Sequence, residues 1–426
     1  RSQGRRPPSL PHRVRQRNAP ALTRTVVSVS PLRLDRDSRS HRAALSFRRL
    51  SYRVVAVEGE ASAVEAKTPP FPVISLRGPA GQDGGAAAGT PLLKRLMPSV
   101  IWECGAFAWF VIQVFIVDVV KGLLRVPRAD LYYLHEYRLF PMVYVLAKLS
   151  GAKILYDAHD FYPGVHADAD LTPFWRRVFR PFLVWLERLC LGHVAGMVTV
   201  NAGIAQLYKE TFGIAAAVTR NCHEPAMDAA VPQGIRERLA LPADVFLLVT
   251  VGNCKPGQDV AAGLEAMAGL PADVHLAFLG RGYDGYRTRI AELGLQGRVH
   301  LPGPVGADQV VPMIRSAAAA LILYYARSKN DEHFLPNGFF QAIAAGLPVL
   351  YPDLKWIRDL AERDGIGVEI DARDPRSIQH GVATLRARMT ADAAGLAANL
   401  KRAARENSWQ REEAVLKDLL ARTFDV

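Results

Sequence analysis

The sequence predicts an α/β protein built from two parallel-sheet halves with a cleft between them. Two observations carry that prediction. Along most of the 426 residues, short continuous apolar runs alternate with helical stretches, the pattern of strands covered on both faces. In addition, no two runs are joined by the Asn-Gly turn of a hairpin. A chain of this length fits two or three domains.

The first half opens on a βαβ unit: TVVSVS (25–30), a helix from SRSHRAALSFRRL, then YRVVAVEG (52–59). The Gly/Ala-rich stretch at 78–91 reads as a loop, without the strand-turn-helix setting of a phosphate loop. The most apolar segment follows, SVIWECGAFAWFVIQVFIVDVVKGLLRV. Its charge-free core, 105–117, is too short to span a bilayer. At helical spacing Glu103, Asp118, Lys121 and Arg125 form one narrow polar edge. Two readings stand for this helix: packing against the sheet, or contact with a membrane. Strands then recur at 130–135, 153–159, 196–201 and 216–221. Between them, FWRRVFRPFLVWLERLCL (174–191) sets Arg176, Arg177, Arg180, Glu187 and Arg188 opposite Phe182, Trp185 and Leu189. That is either a basic amphipathic helix resting on anionic lipid or an ordinary surface helix. After a linker, CHEPAMDAAVPQG, the second half supplies strands at 246–253, 274–280, 298–303, 318–325, 347–352 and 367–370.

The formal net charge of +12 suggests nucleic acid until it is located. Residues 1–53 hold 14 arginines against Asp35 and Asp37, and the remainder balances 39 basic with 39 acidic residues. The excess therefore sits in residues 1–53, which open on a Pro- and Arg-rich leader over 1–23 read as disordered, and no nucleic-acid partner is expected. Cys104, Cys190, Cys222 and Cys254 are scattered without metal-ligand or disulfide spacing, which fits a reducing, cytoplasmic compartment.

Several blocks, in order, resemble family 4 glycosyltransferases and their GT-B relatives. In the second half these are VTVGN…KPGQDVAAGLEAM, HLAFLGRGYDGYRTRIAELGLQGRVHLPGPVGADQVVPMI, FLPNGFFQAIAAGLPVL and the terminal NSW. In the first half DSRSHRAALSFRRLSYRVVAV, YDAHDFYPG and LERLCLGHVAGMVTVNAGIAQL match more loosely. The resemblance implies the GT-B fold: two Rossmann-like parallel-sheet domains facing across a cleft, with a C-terminal helix crossing back. The expected boundaries are 24–222, 223–395 and a crossing helix over 396–426.

Transfer from a nucleotide-diphosphate sugar must stabilise charge on the departing phosphate, which helix N-termini and fixed cations can do without a metal. FLPNGFF fits such a helix start: Pro336 and Asn337 suit its first turn, and Gly338 lets phosphate approach the backbone. The resemblance places Lys255 and Arg281 at the diphosphate, Gly303 near the base, and Gln341 at the ribose, where the family carries glutamate. His333 falls on the family's partner acid, so both ends of its paired-glutamate motif are altered. His159 matches the family histidine that approaches the transferred sugar. Asp37 and Arg39 are assigned to the acceptor side, with helix capping the plainer reading of Asp37. Asp157 and Asp160 flank His159, but no metal or other cofactor is expected.

The implied function is a retaining glycosyltransferase using a nucleotide-sugar donor and a glycan or glycolipid acceptor. Its expected place is the cytoplasm, peripheral at the inner face of the membrane. A catalytically silent GT-B subunit supporting a partner transferase and a UDP-sugar epimerase of the same fold are the alternatives.

Overall fold

The computed structural model describes residues 24–61, 69–77 and 99–424, so the leader and the 78–91 loop lie outside it. Two wholly parallel sheets form. The first contains β1 (Thr25–Ser30), β2 (Arg53–Ala61), β3 (Val73–Arg77), β4 (Leu131–His135), β5 (Lys153–Ala158), β6 (Gly196–Thr199) and β7 (Ala217–Val218), in the order β3-β2-β1-β4-β5-β6-β7. The second contains β8 (Phe246–Val251), β9 (Val274–Leu279), β10 (Val299–His300), β11 (Ala319–Leu321), β12 (Val349–Pro352) and β13 (Gly367–Ile370), in the order β10-β9-β8-β11-β12-β13. Chain direction around each sheet reverses beside its first strand, between β1 and β4 and between β8 and β11. A crevice opens at the carboxyl ends of the strands there.

Register follows from burial. Val27 lies opposite Val55 on one side and Tyr132 on the other, and all three are buried. A slip of one residue would turn Val27 to the other face of the sheet. The edge strand β3 was not anticipated. It pairs only with β2, and Ser75 interrupts its apolar run, so it lacks the continuous pattern of the central strands.

The back-crossing element starts later than residue 396. Leu396, Leu400 and Ala403 of the helix Ala393–Glu406 stay in the second domain's core with Phe339 and Ile357. The return begins at Trp409, whose indole Nε1 donates to Ser46 Oγ at 2.8 Å. Along Trp409–Phe424, Leu416 and Leu420 pack with Val26, Phe47 and Leu131 of the first domain.

Two helices depart from their sequence reading. Ser99–Arg125 runs as one 27-residue helix, with a π-turn at Gln113–Val117, yet residues 99–112 bury no side chain. Its buried residues, Val114 and Gly122, lie in the second half, while Phe110 of the first half packs only partly buried against the first domain's core. By length and composition, the whole helix meets the requirement for a membrane span.

The helix Arg180–Leu191 also begins with a π-turn, Trp175–Phe179, and its polar side is not the one expected. Glu187 is buried and accepts a hydrogen bond from Tyr156 Oη at 2.8 Å, while Trp185 is 51% exposed. Burial pushes the Glu187 carboxyl up to about 7, against its hydrogen bonds from Tyr208 and Tyr156. A raised folded pKa stabilises below the unfolded value near 4.5 and loses that contribution as pH rises through 7. The loss amounts to about 3 kcal/mol at 1.36 kcal/mol per pKa unit. Glu187→Gln keeps an acceptor for both tyrosines, so its urea-unfolding free energy should gain on wild type by that amount between pH 4.5 and 7.5. Parallel pH profiles would show that Glu187 carries no such load.

Candidate active site at the interdomain cleft

In the first domain, four polar side chains converge at the ends of β1, β4 and β5. His135 Nδ1 lies 3.0 Å from His159 Nε2, and its Nε2 lies 3.2 Å from Ser28 Oγ. Beneath them, Asp157 accepts from Tyr133 Oη at 2.9 Å and from Arg39 Nε and Nη2 at 3.0 and 2.8 Å. Burial alone would raise the Asp157 carboxyl. The Arg39 ion pair and the His135 hydrogen bond outweigh it and hold the group far below the ordinary carboxylate range.

His159 keeps 17% of its side chain open, so one edge reaches the cleft. Burial pushes its pKa down to about 4, against the pull of Asp37 and Asp157. The imidazole is therefore uncharged at neutral pH. Asp37 is lowered overall: burial raises it, while the histidines and Ser40 lower it by more. The Ser40 hydroxyl, the Ser40 amide at 3.2 Å and the Ser30 hydroxyl at 2.9 Å all donate to Asp37.

These contacts revise the acceptor-side assignments. Asp37 caps the helix Ser38–Arg49. Arg39 is 2% exposed, and its remaining donors go to Thr219 O and Thr219 Oγ1. Arg39 cannot touch an acceptor from there; it fixes Asp157, which in turn orients the histidine pair. Asp157 and Asp160 do not act as a pair, because Asp160 bonds across the cleft to Asn330 Nδ2 at 3.0 Å. One ligand atom each from Asp37, His135 and His159 lies within 4.8 Å of the others, so this trio is the group of described residues with the spacing to hold a cation.

In the second domain, Pro336 takes the N-cap of the helix Asn337–Ala344, and no side chain caps it. Asn337 thus becomes the first helical residue rather than a cap. The helix leaves its leading amides and positive dipole end for an anion. Gly338 is required by packing, since a Cβ there would come within 2.9 Å of Val251 O at the end of β8. Gln341 is half-buried one turn along.

Lys255 follows β8 in a loop where Gly257 takes φ +86°. Its ammonium lies 4.3 Å from the Phe334 ring centroid and 5.3 Å from that of Tyr324. The residue is open to solvent, yet its crowded surroundings lower the ammonium pKa, opposed by Asp160 and Asp331. Arg281 is exposed, and its backbone ties the β9 loop to the β8 loop through Asn253 Oδ1 and the Cys254 amide. Gly303 sits at φ +79° just beyond β10.

His333 belongs to the seam between domains. Trp356 Nε1 donates to its Nδ1 at 2.9 Å, and Asn201 Nδ2 donates to its carbonyl at 2.6 Å. A Cβ on Gly203 would come within 2.1 Å of His333 Nδ1, so the two domains touch there. The structure therefore places it in the contact between the domains. Asn330 closes the same seam, accepting from the Phe161 amide at 2.7 Å. A pocket of about 750 Å³ lies beside it, lined by Phe161, His166, Arg180, Val184, Arg327 and Glu332 among others. None of the donor-loop residues lines it.

Sequence reasoning missed His135 and Glu136. His135 ends its strand as His159 follows β5, and that parallel was the available signal. Glu136 holds φ 61° and ψ 149°, a backbone conformation costing about 1–3 kcal/mol in a non-glycine residue. Burial raises its carboxyl to about 7, against Arg138. Nothing in the sequence announces that strain.

Two parallel-sheet domains with opposed strand ends, a capless helix at one side of the cleft and a returning terminal helix define the GT-B fold of glycosyltransferases. Solved structures agree on the fold. Sucrose-phosphate synthase from Thermosynechococcus elongatus superposes with a TM-score of 0.65 at 14% identity, over 94% of this chain and 99% of that one. HepE of Anabaena, solved with UDP-glucose, gives 0.62 at 14% identity, over 93% and 99%.

Residues 233–407 match the family described as Glycosyl transferases group 1. The D-inositol 3-phosphate glycosyltransferase of Xylanimonas cellulosilytica is 30% identical over 203 residues. That alignment spans 46% of this chain and 46% of the relative, about half the length of each.

Proposed function

We propose that the protein is a retaining glycosyltransferase. It moves a sugar from a nucleotide-diphosphate donor to a polysaccharide or lipid-linked acceptor at the cytoplasmic face of a membrane, without a bound metal. The observation that carries this reading is the uncapped N-terminus of Asn337–Ala344, with Gly338 close against Val251 at the end of β8 and Lys255 in the loop that follows that strand. This arrangement suits a diphosphate leaving group. The match of residues 233–407 to group 1 glycosyltransferases and the UDP-glucose in the HepE structure support the same donor class.

In the front-face route the leaving phosphate accepts the acceptor's proton. The protein then contributes alignment and charge stabilisation rather than a carboxylate nucleophile. His159, uncharged and open to the cleft, hydrogen-bonds the transferred sugar. Lys255 and the helix amides hold the diphosphate.

Thermal-shift titration with UDP, GDP, ADP, TDP and CMP, without metal, tests the reading. One diphosphate should raise the melting temperature by mass action, and a folded protein indifferent to all five would sink it. Gln341 favours one second reading, a silent subunit that supports a partner transferase, because a neutral amide stands where the family has glutamate. Gln341→Glu should tighten the responding nucleotide about fivefold, since charge-assisted hydrogen bonds are about twice as strong as neutral ones. An unchanged affinity would remove Gln341 from the ribose.

A further inference from the structure

We infer that the helix Ser99–Arg125, together with the helical segment 175–191, forms an in-plane platform that embeds in one leaflet of a lipid bilayer without crossing it. This deepens the membrane-face part of the proposed function and rests on that reading only for the choice of bilayer.

The two segments are one unit. Phe107 packs edge-on against Phe179 and Phe182, with ring centroids 5.4 and 5.1 Å away. Outward from that aromatic seam the helix presents Trp109 at 62%, Ile112 at 43%, Ile116 at 58% and Leu124 at 79% exposure. Trp185 extends the apolar face from the neighbouring helix. An apolar patch of this extent on a folded surface marks a docking site. Exposed tryptophans on these helices, with Arg176 and Arg177 exposed in the 175–191 segment, match a headgroup boundary, where aromatic rings and arginines both settle.

Length does not rule out a span, since 27 residues of helix reach about 40 Å against a hydrocarbon core of about 30 Å. Topology does. The strands on either side of the helix, β3 and β4, lie in one sheet, so the chain must cross the bilayer an even number of times. A return crossing would fall on residues 78–98, GPAGQDGGAAAGTPLLKRLMP. That would put Asp83, Lys94 and Arg95 into hydrocarbon, each at a cost of a few kcal/mol. The helix is also fastened to the sheet edge at its far end, where Arg125 Nη1 donates to Ser75 O at 3.1 Å. A helix lying in the plane of one leaflet satisfies both constraints.

Flotation of the full chain with neutral phosphatidylcholine vesicles, and with vesicles containing phosphatidylglycerol, tests the platform. The protein should float with both, more with the anionic ones, and remain bound in high salt. The triple variant Ile112→Glu, Ile116→Glu and Leu124→Glu changes only exposed positions. It should lose about a thousandfold or more in partitioning, because each of the three buried aliphatic side chains is worth at least about tenfold, while its nucleotide-induced melting shift stays intact. Brominated lipids then report depth: fluorescence lost in Trp109→Phe should be quenched more by shallow than by deep bromines. A monomer that ignores both vesicles would overturn the proposal, as would a dimer that the triple variant splits. Stronger quenching by deep bromines would overturn the in-plane placement. A nucleotide response without vesicle binding would sink the platform and leave the transferase reading standing.

Discussion

Arg39→Met should lower the unfolding free energy by about 3–5 kcal/mol, the usual cost of removing one partner from a buried ion pair. Arg39 and Asp157 have side chains only 2% and 1% exposed, so solvent cannot replace the lost guanidinium. The substitution also leaves Thr219 O without its 2.8 Å donor. Methionine fills much of the volume, which keeps the effect electrostatic rather than a cavity. The pH dependence gives the sign. In wild type the Asp157 pKa lies below its unfolded value, so its contribution is present above about pH 4 and is lost as pH falls towards the folded value. Without Arg39 that lowering shrinks, and the variant's deficit should be largest near neutral pH and narrow on acidification. Urea denaturation at pH 7 and pH 4 measures both. A deficit under about 1 kcal/mol at pH 7 would mean that Asp157 finds other compensation in His135 and Tyr133.

The same pair shows where the sequence was legible and where it was not. Continuous runs such as FLLVTV and LYYLH declare buried parallel strands because both faces must be apolar, and the order of motifs then points to the GT-B fold. The helix start at Pro336 was legible for a similar local reason, because proline fixes its own φ and suits a first turn; that no side chain caps it was not. Arg39, by contrast, meets Asp157 118 positions away, and nothing local separates a buried structural arginine from one reaching a ligand. His333 went astray likewise, because its environment is set by Gly203 of the first domain and by Trp356 of its own, neither of them close in the chain. The π-turns at Gln113–Val117 and Trp175–Phe179 shift helical register by one residue. Faces drawn at 3.6-residue spacing beyond them therefore came out rotated, and Glu187 moved from the solvent side to the core.

His159→Ala should reduce turnover, read as nucleotide-diphosphate release from the donor that binds, by about a hundredfold or more, the scale of losing one preorganised polar group at a reacting centre. Affinity for the nucleotide alone should hardly change, because the helix N-terminus and Lys255 belong to the other domain. The acid limb of the pH profile separates a hydrogen-bonding imidazole from a cationic one. A histidine with an ordinary pKa of 6.5 would charge as pH falls from 7 to 6, whereas His159 stays neutral down to about 4. If its neutral form acts, wild-type turnover should show no His159-dependent loss until pH nears 4. A depressed folded pKa also stabilises the fold above 6.5 and loses that contribution as pH falls towards 4, so His159→Ala should be less acid-sensitive than wild type across that window. An activity limb near 6.5 that disappears in His159→Ala would instead mean that the imidazole charges during catalysis.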